Sequence, residues 1–110
     1  MKQYTTPEQT AKLIELGFEK PKRIASVEPI YGMGGISVAK AYTIGELLSF
    51  LPENIAKQDE MPSTLNISLL DSEWCVEYAD FLGSDFSFRN VELIDAIFDM
   101  LTKLKEKGVI

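Results

Sequence analysis

The stretch that decides the fold reads NVELIDAIFDMLTKLKEKGVI, residues 90–110. At about 100° per residue, its apolar side chains fall inside an arc of roughly 160° on one helix face. The residues in that arc are Leu93, Ile94, Ile97, Phe98, Met100, Leu101 and Leu104. Asn90 is predicted to cap the start, because its side chain can accept from a free N–H of the first turn. Gly108 is predicted to end the helix in the left-handed conformation, with Val109 packing back on the last turn. The stretch therefore predicts a long helix that covers an apolar surface supplied by the rest of the chain.

Length and composition limit the possible domain organisation and partners of the chain. The chain has 110 residues, which predicts one domain, and its 45% hydrophobic and 25% charged content is that of a globular protein. A net charge of −6 argues against nucleic acid and anionic membranes as partners, since both attract clustered Lys and Arg. No apolar run approaches the ~18 residues of a membrane span, and the N-terminus lacks the apolar segment of a signal peptide. We therefore expect a cytoplasmic protein.

Two shorter helices are predicted from their capping residues. Thr6 and Gln9 form a capping box around Pro7, and Gly17 ends that helix. A second capping box joins Thr43 to Glu46, and a proline at position 52 stops that helix, with at most a loose turn after it. Residues 58–63 are polar and contain a proline, which predicts a loop.

Two hairpins are predicted between the helices. Residues 23–28 and 36–42 are β-compatible and are separated by a glycine-rich turn. The second hairpin is clearer, because apolar and polar residues alternate in both arms around a turn at residues 71–73. Its inward rows are Leu65, Ile67 and Leu69 in one arm and Trp74, Val76 and Tyr78 in the other. Residues 80–89 are compatible either with a short edge strand or with a loop that carries two phenylalanines.

This order of elements predicts an α+β fold with a roughly four-stranded, mainly antiparallel sheet made of the two hairpins. A short N-terminal helix, a short middle helix and the long C-terminal helix are predicted to pack on one face. The whole chain, residues 1–110, is predicted to be this single domain.

Several of these segments together resemble a known group of proteins. They are residues 6–9 (TPEQ) leading into 15–18 (ELGF), residues 42–48 (YTIGELL) with 51–52 (LP), and residues 92–96 (ELIDA) with 103–110 (KLKEKGVI). The chain resembles a family of small uncharacterised proteins from gut Bacteroidetes and their phages or mobile elements. The resemblance covers about a third of the chain, implies a bacterial or phage origin, and implies no catalytic residues.

The residues that usually carry chemistry are few. The chain has no histidine, the commonest general base and metal ligand, and its single cysteine, Cys75, can form no intramolecular disulfide. The glycines at positions 32, 34 and 35 lack the remaining residues of a dinucleotide or phosphate loop, so a hairpin turn is the better interpretation. The acids from Asp71 to Asp85 can in principle divide general-acid and general-base roles, but a solvated acidic face is the simpler interpretation. No cofactor or metal is predicted.

The function predicted by elimination is a non-catalytic protein-binding or adaptor module, with an unidentified protein partner or self-association as a homodimer. Neither nucleic acid nor membrane is expected as a partner. The candidate interaction surface comprises Tyr31, Met33, Glu73, Trp74 and Glu77. Two alternatives stay open: a phage or mobile-element accessory that inhibits a host protein through an acidic surface, and an atypical enzyme that uses the carboxylates between Asp71 and Asp85.

Overall fold

A computed structural model describes residues 2–21, 28–30, 35–37, 41–57, 60–80 and 83–110. The helices are α1 (Pro7–Glu15), α2 (Ile44–Phe50) and α3 (Leu93–Glu106). The strands are β1 (Glu28–Ile30), β2 (Gly35–Ser37), β3 (Asn54–Lys57), β4 (Glu60–Leu70), β5 (Glu73–Asp80) and β6 (Gly83–Asn90). The predicted α+β class, with a four-stranded antiparallel sheet and three helices, is confirmed.

The four-stranded sheet is a meander in the order β3-β4-β5-β6, with antiparallel pairing throughout. Its register places Leu65 opposite Tyr78, and the predicted inward rows of the β4–β5 hairpin face each other. Phe86 and Phe88 of β6 continue those rows opposite Tyr78 and Val76. One face of the sheet is therefore apolar across three strands.

The strands that form this sheet differ from those predicted. Within the described residues, the first hairpin consists of β1 paired with β2 in a separate two-stranded sheet. Residues 23–27 and 38–40 of its predicted strands, and the turn glycines at positions 32 and 34, lie outside the described residues. The place of this hairpin in the main sheet is taken by β3, where a loose turn was predicted, and by β6, for which a strand and a loop were both left open. The predicted loop at residues 58–63 is also wrong for residues 60–63, which belong to β4.

The long helix lies on β5 and β6 and against α2. Seven of its residues are buried: Leu93, Ile94, Ala96, Ile97, Met100, Leu101 and Leu104. They share one core with Leu13 of α1, Leu47 of α2 and Val76 and Tyr78 of β5. The predicted covering role of this helix is therefore confirmed for β5 and β6, whereas Leu69 of the predicted inward row of β4 stays 54% exposed.

The start of α3 corrects the predicted cap. Glu92, not Asn90, is the N-cap, and its side chain makes no capping hydrogen bond. Asn90 still belongs to β6, where it pairs with Trp74, so the chain needs two more residues to turn before the helix begins. The Asn90 side chain instead accepts the N–H of Glu92 at 2.9 Å and holds this turn.

The helix ends agree with the predicted capping chemistry. Both capping boxes form, Thr6 with Gln9 and Thr43 with Glu46. Gly17 and Gly108 adopt positive φ angles of 96° and 71°. At each end the next residue donates back to the helix, as in the hydrogen bond of 2.9 Å from Val109 N–H to the Leu104 carbonyl.

Candidate protein-binding surface

The β4–β5 hairpin ends in a two-residue turn. Asp71 and Ser72 both have positive φ, 50° and 65°, which is the backbone of a type I′ turn. This turn matches the right-handed twist of the strands, so the register stays regular from Thr64 to the last pair, Leu70 with Glu73. The end of the hairpin is therefore a defined structure.

Three large aliphatic side chains are exposed at this end. Leu69 and Leu70 are each 54% exposed, and Val91 is 66% exposed. Leu69 pairs with Trp74, which pairs with Asn90, and Val91 is the next residue along the chain. We call Leu69, Leu70, Glu73 and Val91 the tip surface. Leu69 extends the inward apolar row of the sheet, whereas Leu70 belongs to the opposite face.

The charge of the hairpin is entirely negative. Residues 60–80 contain five acids and no Lys or Arg: Glu60, Asp71, Glu73, Glu77 and Asp80. Asp71 and Glu73 are exposed beside the leucines. The surface therefore combines exposed apolar area with negative charge.

One side of β4 is paired over only part of its length. β3 pairs with β4 from Glu60 to Thr64, and the Leu65 N–H donates to the Glu53 carbonyl at 2.9 Å. Beyond that point, no strand in the described ranges pairs with residues 66–70 on this side. The exposed leucines thus lie at the end of a strand edge that no described strand covers, and we call residues 66–70 on this side the free edge of β4.

The structure separates the residues that the sequence proposed as an interaction surface. Trp74 lies on the apolar face, half-buried against the core, while Glu73 and Glu77 lie on the other face of β5. Glu73 is exposed and belongs to the tip surface; Glu77 is half-buried and paired with Asn66 and Ser87. Tyr31 and Met33 fall outside the described residues.

The sequence also contained a signal for the residues that were missed. Leu69 and Leu70 are consecutive apolar residues directly before a turn, and successive side chains of a strand point to opposite faces. One of the two must therefore face away from the core. Val91 carries no such signal, because the predicted cap at Asn90 places it in the first turn of the helix.

The acids between Asp71 and Asp85 do not meet in one site. Asp71 and Glu73 lie at the turn end of the hairpin, and Asp80 lies seven residues further along β5, roughly 20 Å away at the rise of a strand. Asp85 lies near that far end and accepts a hydrogen bond from the Ser63 hydroxyl. Within the described part of the chain, no group of three or more His, Cys, Asp or Glu side chains is placed to hold a metal ion.

Cys75 is a buried strand residue on the polar face of β5. Its sulfur lies 3.6 Å from the Ser87 hydroxyl. A thiol reacts as the thiolate, which is favoured by an electropositive and partly exposed setting. The burial of Cys75 between hydrogen-bonded strands instead agrees with the packing role expected of a small residue.

A concave region lies at the start of α2. It is an open groove whose lining includes Tyr4, Thr43 and Glu46. Its main polar groups belong to the capping box, in which the Glu46 carboxylate accepts from the Thr43 N–H at 3.2 Å. These groups support the helix start, so the groove is a weaker candidate than the tip surface.

The perturbed ionisable groups lie in the scaffold. Burial raises the pKa of Tyr78 to about 12, and its hydroxyl donates to the Pro52 carbonyl at 2.6 Å. Burial, and then the charge of Asp95, raises the pKa of Asp99. Tyr42 also has a raised pKa, caused first by burial and then by neighbouring glutamates. None of these three residues belongs to the tip surface.

Comparison with known proteins adds no family to this description. No family model, curated protein or solved structure matches the chain. The resemblance to proteins of gut Bacteroidetes and their phages therefore stays a prediction. No helix within the described residues is long and apolar enough to cross a membrane.

Proposed function

We propose that the protein is a non-catalytic protein-binding or adaptor module, and that the tip surface is where the partner binds. The observation that carries this proposal is the exposure of Leu69, Leu70 and Val91 together at one end of the sheet. Single exposed apolar residues are ordinary, so the proposal rests on the exposure of three of them at one end of the sheet, with Leu69 on the apolar face and Leu70 on the opposite face.

The defined geometry of the tip supports this role. The two-residue turn and the regular register fix Leu69 and Leu70 relative to Glu73. A surface that is ordered before binding loses little conformational entropy when a partner docks. The acidic residues beside the leucines favour a partner whose contact surface is basic at its rim.

The acidic hairpin also supports the second candidate, an accessory protein of a phage or mobile element that inhibits a host protein. Asp71 and Glu73, both exposed at the turn, would compete with an anionic ligand for a basic host surface. This candidate uses the same surface and differs only in what binding does to the partner. Action in the cytoplasm belongs to both versions of the proposal.

A matched pair of variants tests the tip surface. The double variant Leu70→Ser with Val91→Ser removes two exposed aliphatic side chains, and Val109→Ser removes one that is 39% exposed near the far end of α3, about 20 Å away. Each protein is immobilised, and the partners captured from a lysate of the source organism are quantified by mass spectrometry.

We expect one protein to be retained stoichiometrically by the unaltered chain and by Val109→Ser. The double variant should retain at least about tenfold less, which corresponds to about 1.4 kcal/mol of binding free energy, a usual size for central apolar contacts. Equal retention by all three proteins would show that binding does not use the tip surface. Circular dichroism of each variant controls for folding.

A further inference from the structure

The free edge of β4 carries an inference that rests on the proposed function and makes it more specific. We propose that the partner contributes an extended segment with basic residues at its ends, and that this segment adds as a strand to residues 66–70 of β4. The ligand is then an apolar β-strand of another protein that has Lys or Arg at both ends.

The direction of the backbone groups along this edge follows from one hydrogen bond. The Leu65 N–H donates to the Glu53 carbonyl, so it points to the outer side of β4. The N–H and C=O groups of a strand alternate in direction from residue to residue. Ile67 and Leu69 therefore present their N–H and C=O groups on the same outer side, which gives an incoming strand two donors and two acceptors.

Within the described part of the chain, the other edges of this sheet have features that prevent strand pairing, and residues 66–70 of β4 have none. β6 carries the charged Asp85 and Arg89, and its register shifts between Tyr78 and Ala79 of its neighbour. β3 is short, and its pairing with β4 is interrupted by a register shift. Charges, bulges and short length are the devices that prevent unwanted strand pairing at an edge. Residues 66–70 of β4, with the sequence NISLL, have none of them and pair regularly with β5.

Charge decides between a second copy of this chain and a different protein. If two copies paired antiparallel with Ser68 at the centre, Asp71 of each copy would lie opposite Leu65 of the other copy. Glu53 lies beside Leu65 on this side of β4, so the carboxylates of Asp71 and Glu53 would come close together. That contact between like charges would occur twice in a symmetric dimer, and each copy would bring an all-acidic hairpin. A segment with basic ends meets Glu53 at one end and Asp71 at the other.

The probe is a capped seven-residue peptide of alternating valine and threonine with lysine at both ends. It is titrated into the isotopically labelled protein, and amide hydrogen exchange is followed residue by residue by NMR. We expect the amides of Ile67 and Leu69 to exchange at least about tenfold more slowly at saturation, because strand addition buries them in hydrogen bonds. The same peptide with glutamate at both ends should bind at least about tenfold more weakly at low salt, and this difference should shrink as salt is added.

Two lysine variants form a matched control. Asn66 and Ser87 are exposed and lie in one row on either side of Glu77, so each can be replaced by lysine without entering the core. Asn66→Lys places a positive charge on the proposed edge and should weaken binding of the lysine-ended peptide about tenfold. Ser87→Lys places the same charge on the β6 edge and should leave the affinity within about twofold, because β6 is not the proposed docking strand.

The outcomes that overturn the inference are distinct from those that overturn the proposed function. A peptide that perturbs Leu70 and Val91 but does not slow exchange at Ile67 and Leu69 would refute strand addition and leave the tip surface as a binding site. Failure of the peptide to bind, equal binding of both peptides, or equal effects of the two lysine variants would also refute it. A dimer seen by light scattering, with Ile67 and Leu69 already protected in the protein alone, would assign the edge to a second copy. The proposed function fails if loss of Leu70 and Val91 leaves partner capture unchanged.

Discussion

Truncation of Ile97 tests whether α3 organises the core. Ile97 is completely buried, near the centre of the apolar face that packs on β5 and β6. Ile97→Ala removes three carbon groups, which corresponds to about 2.4 kcal/mol of lost burial at ~0.8 kcal/mol per group. The cavity left behind raises the expected loss in free energy of unfolding to about 3–4 kcal/mol. A domain of this size has about 5–15 kcal/mol of stability, so the variant should still fold.

The assay is urea unfolding followed by the fluorescence of Trp74. This residue is the only tryptophan in the chain and is half-buried against the core, so its emission reports on packing. Val91→Ala is the matched control, because Val91 is 66% exposed and its truncation should change stability by less than about 0.5 kcal/mol. The slope of free energy against urea should stay constant in both variants.

A loss below about 1 kcal/mol for Ile97→Ala would refute the organising role of α3, because that loss is smaller than the burial contribution alone. The charge variant Ile97→Asp goes further. An unpaired carboxylate in the core should abolish the cooperative unfolding transition and the near-UV circular dichroism signal. Unchanged near-UV and far-UV spectra would contradict the same conclusion independently.

The remaining predictions concern ionisation and backbone conformation. Because the folded-state pKa of Tyr78 lies above the unfolded value, its contribution to stability is complete below pH 10 and is lost as pH rises towards 12; Tyr78→Phe should flatten this part of the curve of melting temperature against pH. The pKa of Asp99 is also raised, so stability falls as pH rises through that raised value, and Asp99→Asn should increase the melting temperature at pH 7 but not at pH 3. Asp95→Asn should decrease the melting temperature at pH 7, because the Asp95 carboxylate accepts hydrogen bonds from the Lys2 and Gln9 side chains. Gly17→Ala should lower the free energy of unfolding, measured by chemical denaturation, by about 1 kcal/mol because φ is 96° there. Gly45→Ala should raise the free energy of unfolding by about 0.5 kcal/mol, because Gly45 lies in a helix and an added Cβ would have its nearest neighbour at 3.8 Å.

The parts of the fold that the sequence predicted are those specified by local chemistry. The capping boxes at Thr6 and Thr43 and the glycines at the ends of α1 and α3 act within a few residues of chain. The β4–β5 hairpin is equally local, because a two-residue turn joins two alternating strands. Each of these features could be read from neighbouring residues.

The parts that sequence reasoning missed depend on pairing with distant residues. Residues 54–57 become a strand only because β4 is long enough to pair with them. The polar Ser63 is tolerated in the core because Asp85, brought close by β6, accepts its hydroxyl hydrogen. Asn90 has the right chemistry for a helix cap, yet pairing with Trp74 keeps it in the sheet.

The candidate site could be predicted only in part for a similar reason. Its acidic character is a property of composition, and Glu73 was proposed from the sequence. The exposure of Leu69 depends on where α3 stops covering the sheet, and no pattern of residues in β4 carries that information. Exposed apolar residues and core residues look alike in sequence when both belong to one alternating strand.

Site-specific photo-cross-linking from Leu70 tests the central claim, that the tip surface binds a protein partner, most directly. A photoreactive amino acid is introduced at Leu70 in one variant and at Val109 in another, and both are irradiated in a lysate of the source organism. We expect one discrete cross-linked protein from position 70 and none from position 109. No cross-link from position 70, or the same products from both positions, would contradict the central claim.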